Sequence, residues 1–329
     1  MLKKRVFVPT AGSRSGCAAR YLAACLVTLI SACGGDDASS GNETVLHSFG
    51  ATSTDGSGPG VPIQGKDGNF YGTTYGGGAN KLSTGSFSGA TGDGTFYMIT
   101  PAGVETVLYS FGTSSTDAIN PSNGVIQGTD GNFYGTTVSG GAMTDEPQGT
   151  GQGTVYRITP AGEETVIYAF GASSSDGYGP TGTLAQDSAG NLYGTTCNGC
   201  STISGGTLFE VTPAGVETVL HTFNPSSGVD GSAPGSVILG SDGNLYGTTS
   251  SGGAGAGGIV FMITPAGAES VLYAFGNSGA VAKPGTDGSF PNGVIQGTDG
   301  NLYGTTSAGG ASESNTSTGA GVFFKITLP

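Results

Sequence analysis

Apolar and polar positions along this chain alternate in short runs. In E-T-V-L-Y-S-F, from Glu105 to Phe111, an extended backbone puts Val107, Tyr109 and Phe111 on one side and Leu108 on the other. In G-T-V-Y-R-I-T, from Gly153 to Thr159, Tyr156 and Ile158 stand opposite Val155. Such runs are four to eight residues long, rich in Val, Ile, Thr, Tyr and Phe, and bounded by Gly, Pro, Asp or Asn. They predict strands. No segment keeps a helical period over 11 residues or more.

The runs recur in a fixed order, a property to settle before any other. Segment A contains the core V-I-Q, seen at 62–64, 125–127, 184–186, 237–239 and 294–296. Segment B is N-[FL]-Y-G-T-T, starting at Asn69, Asn132, Asn191, Asn244 and Asn301. Segment C is the aromatic-aliphatic run typified by 153–159. Segment D is E-[TS]-V-[LI]-[HY]-x-F, starting at Glu43, Glu105, Glu164, Glu217 and Glu269, at spacings of 62, 59, 53 and 52 residues. A tight D-G-N turn joins A to B (A-G-N at Ala189 in the third copy), and T-P-A-G joins C to D. The repeat therefore predicts a four-stranded antiparallel meander. Its C and D strands are apolar on both faces, so neighbouring sheets must cover them. Radial repetition of four-stranded sheets does this, which makes the expected fold an all-β, five-bladed β-propeller. The repeats open with a lone D segment and end with an A-B-C unit that has no D segment after it. Residues 43–49 are therefore expected to complete the last blade and close the ring, removing two aggregation-prone edges.

D-G-N-[FL]-Y-G-T-T followed by G-T-V-[FY]-x-I-T-P-A-G-x-E-T-V-L-Y-S-F resembles the Gloeo/Verruco ("GloVer") tandem-repeat family of secreted bacterial proteins. The resemblance covers residues 43–329. It implies a repeat domain carried on varied surface anchors and no established activity.

The first 33 residues stand apart. Lys3, Lys4, Arg5, Arg14 and Arg20 precede an apolar run over roughly 22–30, too short for a comfortable membrane span and fitting a signal peptide. I-S-A-C at 30–33 resembles the bacterial lipobox; the alternative is an ordinary signal cut nearby. The lipobox reading divides the chain into a signal peptide (1–32), a tether (33–42) and one propeller domain (43–329). It implies an acylated Cys33, with each buried CH₂ contributing about 0.8 kcal/mol to membrane anchoring. Gly34 after the cysteine implies outer-membrane sorting if the envelope is Gram-negative. Lys66, Lys81, Arg157, Lys283 and Lys325 then face all 23 acids, for a net charge of −18. That surface repels nucleic acid. Cys197 and Cys200, in C-N-G-C, are disulfide candidates in an oxidising compartment. A redox C-x-x-C lacks its βαβ context here, and a metal site would need two more ligands nearby.

Candidate chemistry falls mainly in the B–C and D–A segments. The B–C segments (about 75–94, 138–153, 197–206, 250–257 and 307–320) vary in length and are rich in Gly, Ser and Thr. Variable loops on a rigid scaffold are where binding usually resides. Each D–A segment carries D-x₄-P, placing Asp55, Asp117, Asp176, Asp230 and Asp287 either in a ring at a channel mouth, facing an ion or sugar hydroxyls, or in Asx-turns. One Asp per loop is short of the six to eight oxygens Ca²⁺ takes. Gln64, Gln127, Gln186 and Gln296 are expected to line the channel, with Leu239 the exception. His47 and His221 fill the slot of Tyr109, Tyr168 and Tyr273 and read as packing residues. The tyrosines at the centre of each B strand (71, 134, 193, 246, 303) read as inter-blade core. Glycoside hydrolysis needs two differently tuned carboxylates, which would break the fivefold pattern. Acids outside the pattern are Asp93, Asp145, Glu146, Glu163, Glu210 and Glu313, and no catalytic pair is assigned among them.

These features favour a lipid-anchored, non-catalytic binding or adhesion scaffold for glycan or protein, with no cofactor, no metal and no nucleic-acid partner expected. A polysaccharide-active hydrolase and a structural surface protein are the alternatives.

Overall fold

The computed structural model describes residues 43–82, 92–121, 123–141, 151–171, 176–197, 205–276, 287–310 and 320–328. The signal segment, Cys33 and parts of four B–C segments (83–91, 142–150, 198–204 and 311–319) lie outside them. The chain divides into Met1–Thr44 and Val45–Pro329, and every described strand belongs to the second unit. Among the described residues no helix is long and apolar enough to cross a membrane.

The strands form five antiparallel sheets in sequence order. The first holds β1 (Gly56–Pro59), β2 (Ile63–Gln64), β3 (Phe70–Gly77), β4 (Thr95–Ile99) and β5 (Glu105–Ser110). The second repeats it with β6 (Ala118–Pro121), β7 (Ile126–Gln127), β8 (Phe133–Gly140), β9 (Thr154–Ile158) and β10 (Glu164–Ala169). In both, the innermost strand is split in two and both halves pair with the B strand. The third sheet runs β11 (Pro180–Gln186), β12 (Leu192–Thr196), β13 (Thr207–Val211), β14 (Glu217–Thr222). The fourth runs β15 (Gly231–Leu239), β16 (Leu245–Gly252), β17 (Ile259–Ile263), β18 (Glu269–Ala274). The fifth has three strands, β19 (Ser289–Gln296), β20 (Leu302–Ala308) and β21 (Phe323–Ile326).

The repeated letters have local causes. In D-G-N, the Asp130 carboxylate accepts from the Asn132 backbone N–H (3.1 Å) and side-chain amide (2.7 Å), an Asx-turn. It also accepts the Tyr134 hydroxyl at 2.7 Å. The B-strand tyrosine thus packs its ring between sheets and ties its hydroxyl to the hairpin. The third copy has Ala189 where the carboxylate should be, and Asp187, two residues earlier, bonds Asn191 and Tyr193 instead. In G-T-T, a Cβ on Gly135 would lie 2.4 Å from the Tyr156 hydroxyl of the next strand, so only glycine lets that ring cross. The second threonine pairs with the first C-strand threonine, Thr137 with Thr154 at 2.8 Å and Thr196 with Thr207 at 2.7 Å, which satisfies both buried hydroxyls.

One boundary differs from the sequence expectation. In four of the five copies the D-x₄-P stretch, read as loop, is largely the first half of the inner strand, and Pro59, Pro121, Pro180, Pro234 and Pro291 are all strand residues. The residue before each proline has positive φ: Gly58 (66°), Asn120 (56°), Gly179 (60°), Ala233 (53°) and Phe290 (58°). In four copies its N–H leaves the sheet and donates to the preceding one: Asn120 to Asp93 O, Gly179 to Gln152 O, Ala233 to Gly205 O, Phe290 to Gly257 O, at 2.8–2.9 Å. The strand thereby bulges to hold its neighbour.

Four apolar layers fill the spaces between successive sheets. Phe96 and Tyr71 of the first sheet pack on Phe133 of the second, at ring separations of 5.2 and 4.2 Å. The phenylalanine ending each D strand meets a C-strand ring of the next sheet: Phe111 on Tyr156, Phe170 on Phe209, Phe223 on Phe261, Phe275 on Phe324, all 5.0–5.2 Å.

The closing strand expected from residues 43–49 is not formed in this structure. Residues 43–48 lie in no strand, and β21 has β20 as its partner. The N-terminal segment instead lies along the first sheet. Phe49 meets Tyr97 at 4.9 Å, and the Leu46 carbonyl comes so near Gly103 that a Cβ there would be 2.6 Å away. Leu108, Ile167 and Leu220 meet Gly162, Gly215 and Gly267 in the same way. The segment therefore occupies the position of a D strand preceding the first sheet, without the C strand it would pair with.

Candidate functional site

Four of the five D–A corners bring three repeat positions together: the [HY] of one D strand, the aspartate of the following corner, and the glutamate that opens the next sheet's D strand; the fifth holds Tyr273 and Asp287. Asp55, Asp117, Asp176 and Asp230 are buried and Asp287 is half-buried. The Asp117 carboxylate accepts the Ala118 N–H (2.8 Å), the Thr113 N–H (2.7 Å) and the Tyr109 hydroxyl (2.8 Å). Asp176 accepts Gly171 N–H and the Tyr168 hydroxyl, and Asp287 accepts the Tyr273 hydroxyl at 2.9 Å. Asp55 accepts Gly56 and Ala51 N–H, and Asp230 accepts Gly231 and Asn224 N–H. The five aspartates thus lie at the outer D strands, closing their corners.

The glutamates are the partners that sequence reasoning missed. Burial pushes the Glu164 carboxyl up to about 8, with the charge of Asp117 adding to it. Burial, then Asp176, pushes Glu217 up to about 7, and burial, then Asp230, does the same to Glu269. Burial and Asp55 also raise Glu105. A carboxyl facing a buried carboxylate keeps its proton because two like charges in low dielectric repel. The E of E-[TS]-V was visible as a repeat letter, but its Asp neighbour is 39–50 residues away in the first to fourth copies. Only the packing of sheets joins them. Beside Asp117 and Glu164 a cleft of about 400 Å³ opens, lined also by Thr113, Ser114, Thr116, Val166 and Ala169.

Where two corners carry histidine, the triads become His47–Asp55–Glu105 and His221–Asp230–Glu269. His47 Nε2 lies 3.5 Å from Asp55 Oδ1 and 3.8 Å from Glu105 Oε1. His221 Nε2 lies 3.3 Å from Asp230 Oδ2 and 3.8 Å from Glu269 Oε2.

Three of the four inner-strand glutamines link sheets. Gln127 Oε1 accepts Lys66 N–H (2.9 Å), Gln186 Oε1 accepts Thr129 N–H (3.1 Å), and Gln296 Oε1 accepts Ser241 N–H (2.9 Å). Gln64, Gln127 and Gln296 also donate to their own A–B turn. Cys197 is disulfide-bonded, while Cys200 lies outside the described residues. Among the acids outside the repeat pattern, Asp93 is buried and accepts the Leu82 N–H, Glu210 is half-buried and Glu163 is exposed. Asp145, Glu146 and Glu313 lie outside the described residues.

Sheets of one repeated pattern, packed face to face in chain order, define a propeller-like repeat protein. The Gloeobacter/Verrucomicrobia repeat matches residues 37–227 and again 143–329, and the chain belongs to that family. A protein of unknown function from Dyadobacter fermentans has a similar structure, at 12% identity and a TM-score of 0.52, over 82% of this chain and 76% of that one. A streptogramin B lyase is 18% identical over 76% of this chain, with a TM-score of 0.46, and the chain spans 62% of the lyase's length. A gluconolactonase from Xanthomonas campestris is 15% identical over 79% of this chain and 71% of that one, with a TM-score of 0.43. Identities this low speak of fold alone. No curated protein matches the chain.

Proposed function

We propose that this chain is a five-bladed propeller closed by its N-terminal segment, held at a bacterial envelope through an acylated Cys33, and that it binds glycan or protein without chemistry of its own. The observation that carries the binding reading is a division between constant and variable parts. The corner carboxylates recur from sheet to sheet and are hydrogen-bonded into corners and turns. The B–C segments differ in length and sequence from copy to copy, and they leave each sheet at the same end as the D–A corners. A rigid repeated frame bearing variable segments suits recognition, and several weak sites on one frame act through avidity.

Closure is supported by fit. A groove of about 370 Å³ runs beside β21, lined by Tyr273, Phe275, Asp287 and residues 322–326. It lies where the other four sheets carry their D strand. Residues 43–49 carry the D sequence and, through Phe49, already sit as a D strand does against the following sheet. Closure would cover Phe323 and Val61 in one step.

The first test is a glycan-array screen of the full chain, with reducing-sugar release assayed on every hit. Binding without release is expected; release would replace this reading with hydrolysis, and binding to no glycan would remove sugar as the ligand. Hydrogen exchange tests closure: Val45–Phe49 and Phe323–Ile326 should be protected together, and fast exchange at both would refute it. Labelled palmitate should enter the wild type and not Cys33→Ala.

A further inference from the structure

The two histidine corners differ from the tyrosine corners in one chemical respect. A phenol brings its own proton: Tyr109 and Tyr168 donate to Asp117 and Asp176 at 2.8 and 2.9 Å. An imidazole in the same slot presents Nε2 to two carboxylates. At the first corner His47 Nε2 and Glu105 Oε1 are both buried without a hydrogen-bond partner, and both face the same point. At both corners two carboxylate oxygens and a ring nitrogen lie within 4.8 Å of one another.

The spacing selects the cation. A tetrahedral ion holding N and O ligands at about 2.1 Å sets those ligands about 3.4 Å apart. The Nε2-to-carboxylate distances are 3.5 and 3.8 Å at one corner and 3.3 and 3.8 Å at the other, and all three ligand atoms lie within 4.8 Å of one another at both. Three protein ligands leave a fourth position for water. Calcium, which takes six to eight oxygens at longer range, does not fit. One imidazole and two carboxylates suit a small borderline dication. The aspartates are held in place: Asp55 by Gly56 and Ala51 N–H, Asp230 by Gly231 and Asn224 N–H. Backbone bonds of this kind fix the orientation of a ligating carboxylate.

We propose that His47–Asp55–Glu105 and His221–Asp230–Glu269 are two equivalent binding sites for a divalent transition ion of the zinc class, made by replacing tyrosine with histidine in a repeated corner. Two carboxylates balance the ion's charge, and the ion bridges the D strands of adjacent repeats with the corner between them. The sites do not depend on glycan binding or on ring closure, because each is complete within the described residues.

The test uses the full chain without a metal-binding tag, dialysed against Zn²⁺ alone and analysed for bound metal. Two zinc ions per chain should bind to the wild type, one each to His47→Tyr and His221→Tyr, and none to the double variant. Tyrosine is the native residue at three other corners, so the variants retain a side chain the frame accepts. Circular dichroism without metal verifies their fold. Co²⁺ supplies a second readout: visible absorption from tetrahedral N/O coordination should halve in each single variant. Zinc should raise the unfolding midpoint of the wild type and leave that of the double variant unmoved. Equal zinc content in wild type and double variant overturns the proposal, and a loss in one single variant alone overturns it for the other corner. Tyr168→His should create a third site.

Discussion

Phe96 and Phe323 hold the same place in their sheets, at the start of the C strand. Phe96 is sealed between the first and second sheets, as are Val155, Leu208 and Val260 in the next three. Phe323 is 73% exposed. Everything that serves a junction elsewhere is present at the far face of the fifth sheet without its counterpart. Ile295 is 66% exposed, and Thr305 is exposed where Thr73 and Thr195 bond to the next sheet. On the facing side, Val61 is 77% exposed and Phe70 is partly open where Phe133, Leu192, Leu245 and Leu302 are buried. A proline packs at Gly94, Gly153, Gly206 and Gly258, whereas the atoms nearest Gly321 belong to Thr306 and Ser307 of its own sheet. Each sheet is built to be covered on both faces, and a repeat's stability resides in its junctions as much as in its own strands.

The largest effect that tests this contrast is a cavity. Phe96→Ala should cost about 3–5 kcal/mol, read by denaturant unfolding. Phe323→Ala should cost a comparable amount if the ring closes in solution; a cost below about 1 kcal/mol would mean that the face stays open.

A smaller effect comes from the junction carboxyls. Glu164 has a folded value near 8, above its ordinary 4.5. Between those values the folded protein holds a proton that the unfolded chain releases. Stability from this group is therefore full below about pH 4.5 and is lost as pH rises to about 8. Glu164→Gln should flatten that slope, by roughly a few kcal/mol across the window, measured as unfolding free energy from pH 5 to 9. An unchanged slope would show that Glu164 is ionised in the folded state.

The smallest effect concerns the residue before the proline. At the seam it is Gly58; at the junction of the third and fourth sheets it is Ala233, at φ 53°. A side chain in left-handed backbone costs about 1–2 kcal/mol. Ala233→Gly should stabilise by about 1 kcal/mol and Gly58→Ala should destabilise by a similar amount. A loss on Ala233→Gly would show that the methyl's packing outweighs the strain.

Much of this was legible in the letters. Strand identity, order and the two tight turns follow from alternation and turn chemistry, which are local. So does the aspartate's place in a corner. The third A–B turn shows the limit of letters: Ala189 looks like a lost carboxylate, yet Asp187 takes over because its side chain reaches the same amides. D-x₄-P looks like loop because proline lacks a strand donor, but the preceding residue turns its N–H toward another sheet, so pairing within its own sheet goes on around it. The glutamines were placed on the innermost strand by their letters, but the neighbour whose backbone N–H each accepts was not legible.

The sequence by itself determined the repeat, its strands and its turns, because those depend on contacts a few residues apart. The tertiary structure alone decided which residues meet across a junction. It placed Glu105 beside His47 and Asp55, and Glu269 beside His221 and Asp230, partners 39–58 residues apart. Only face-to-face packing of sheets brings such groups within reach of one another, and the proton or metal chemistry they can perform depends on distances that no single repeat encodes.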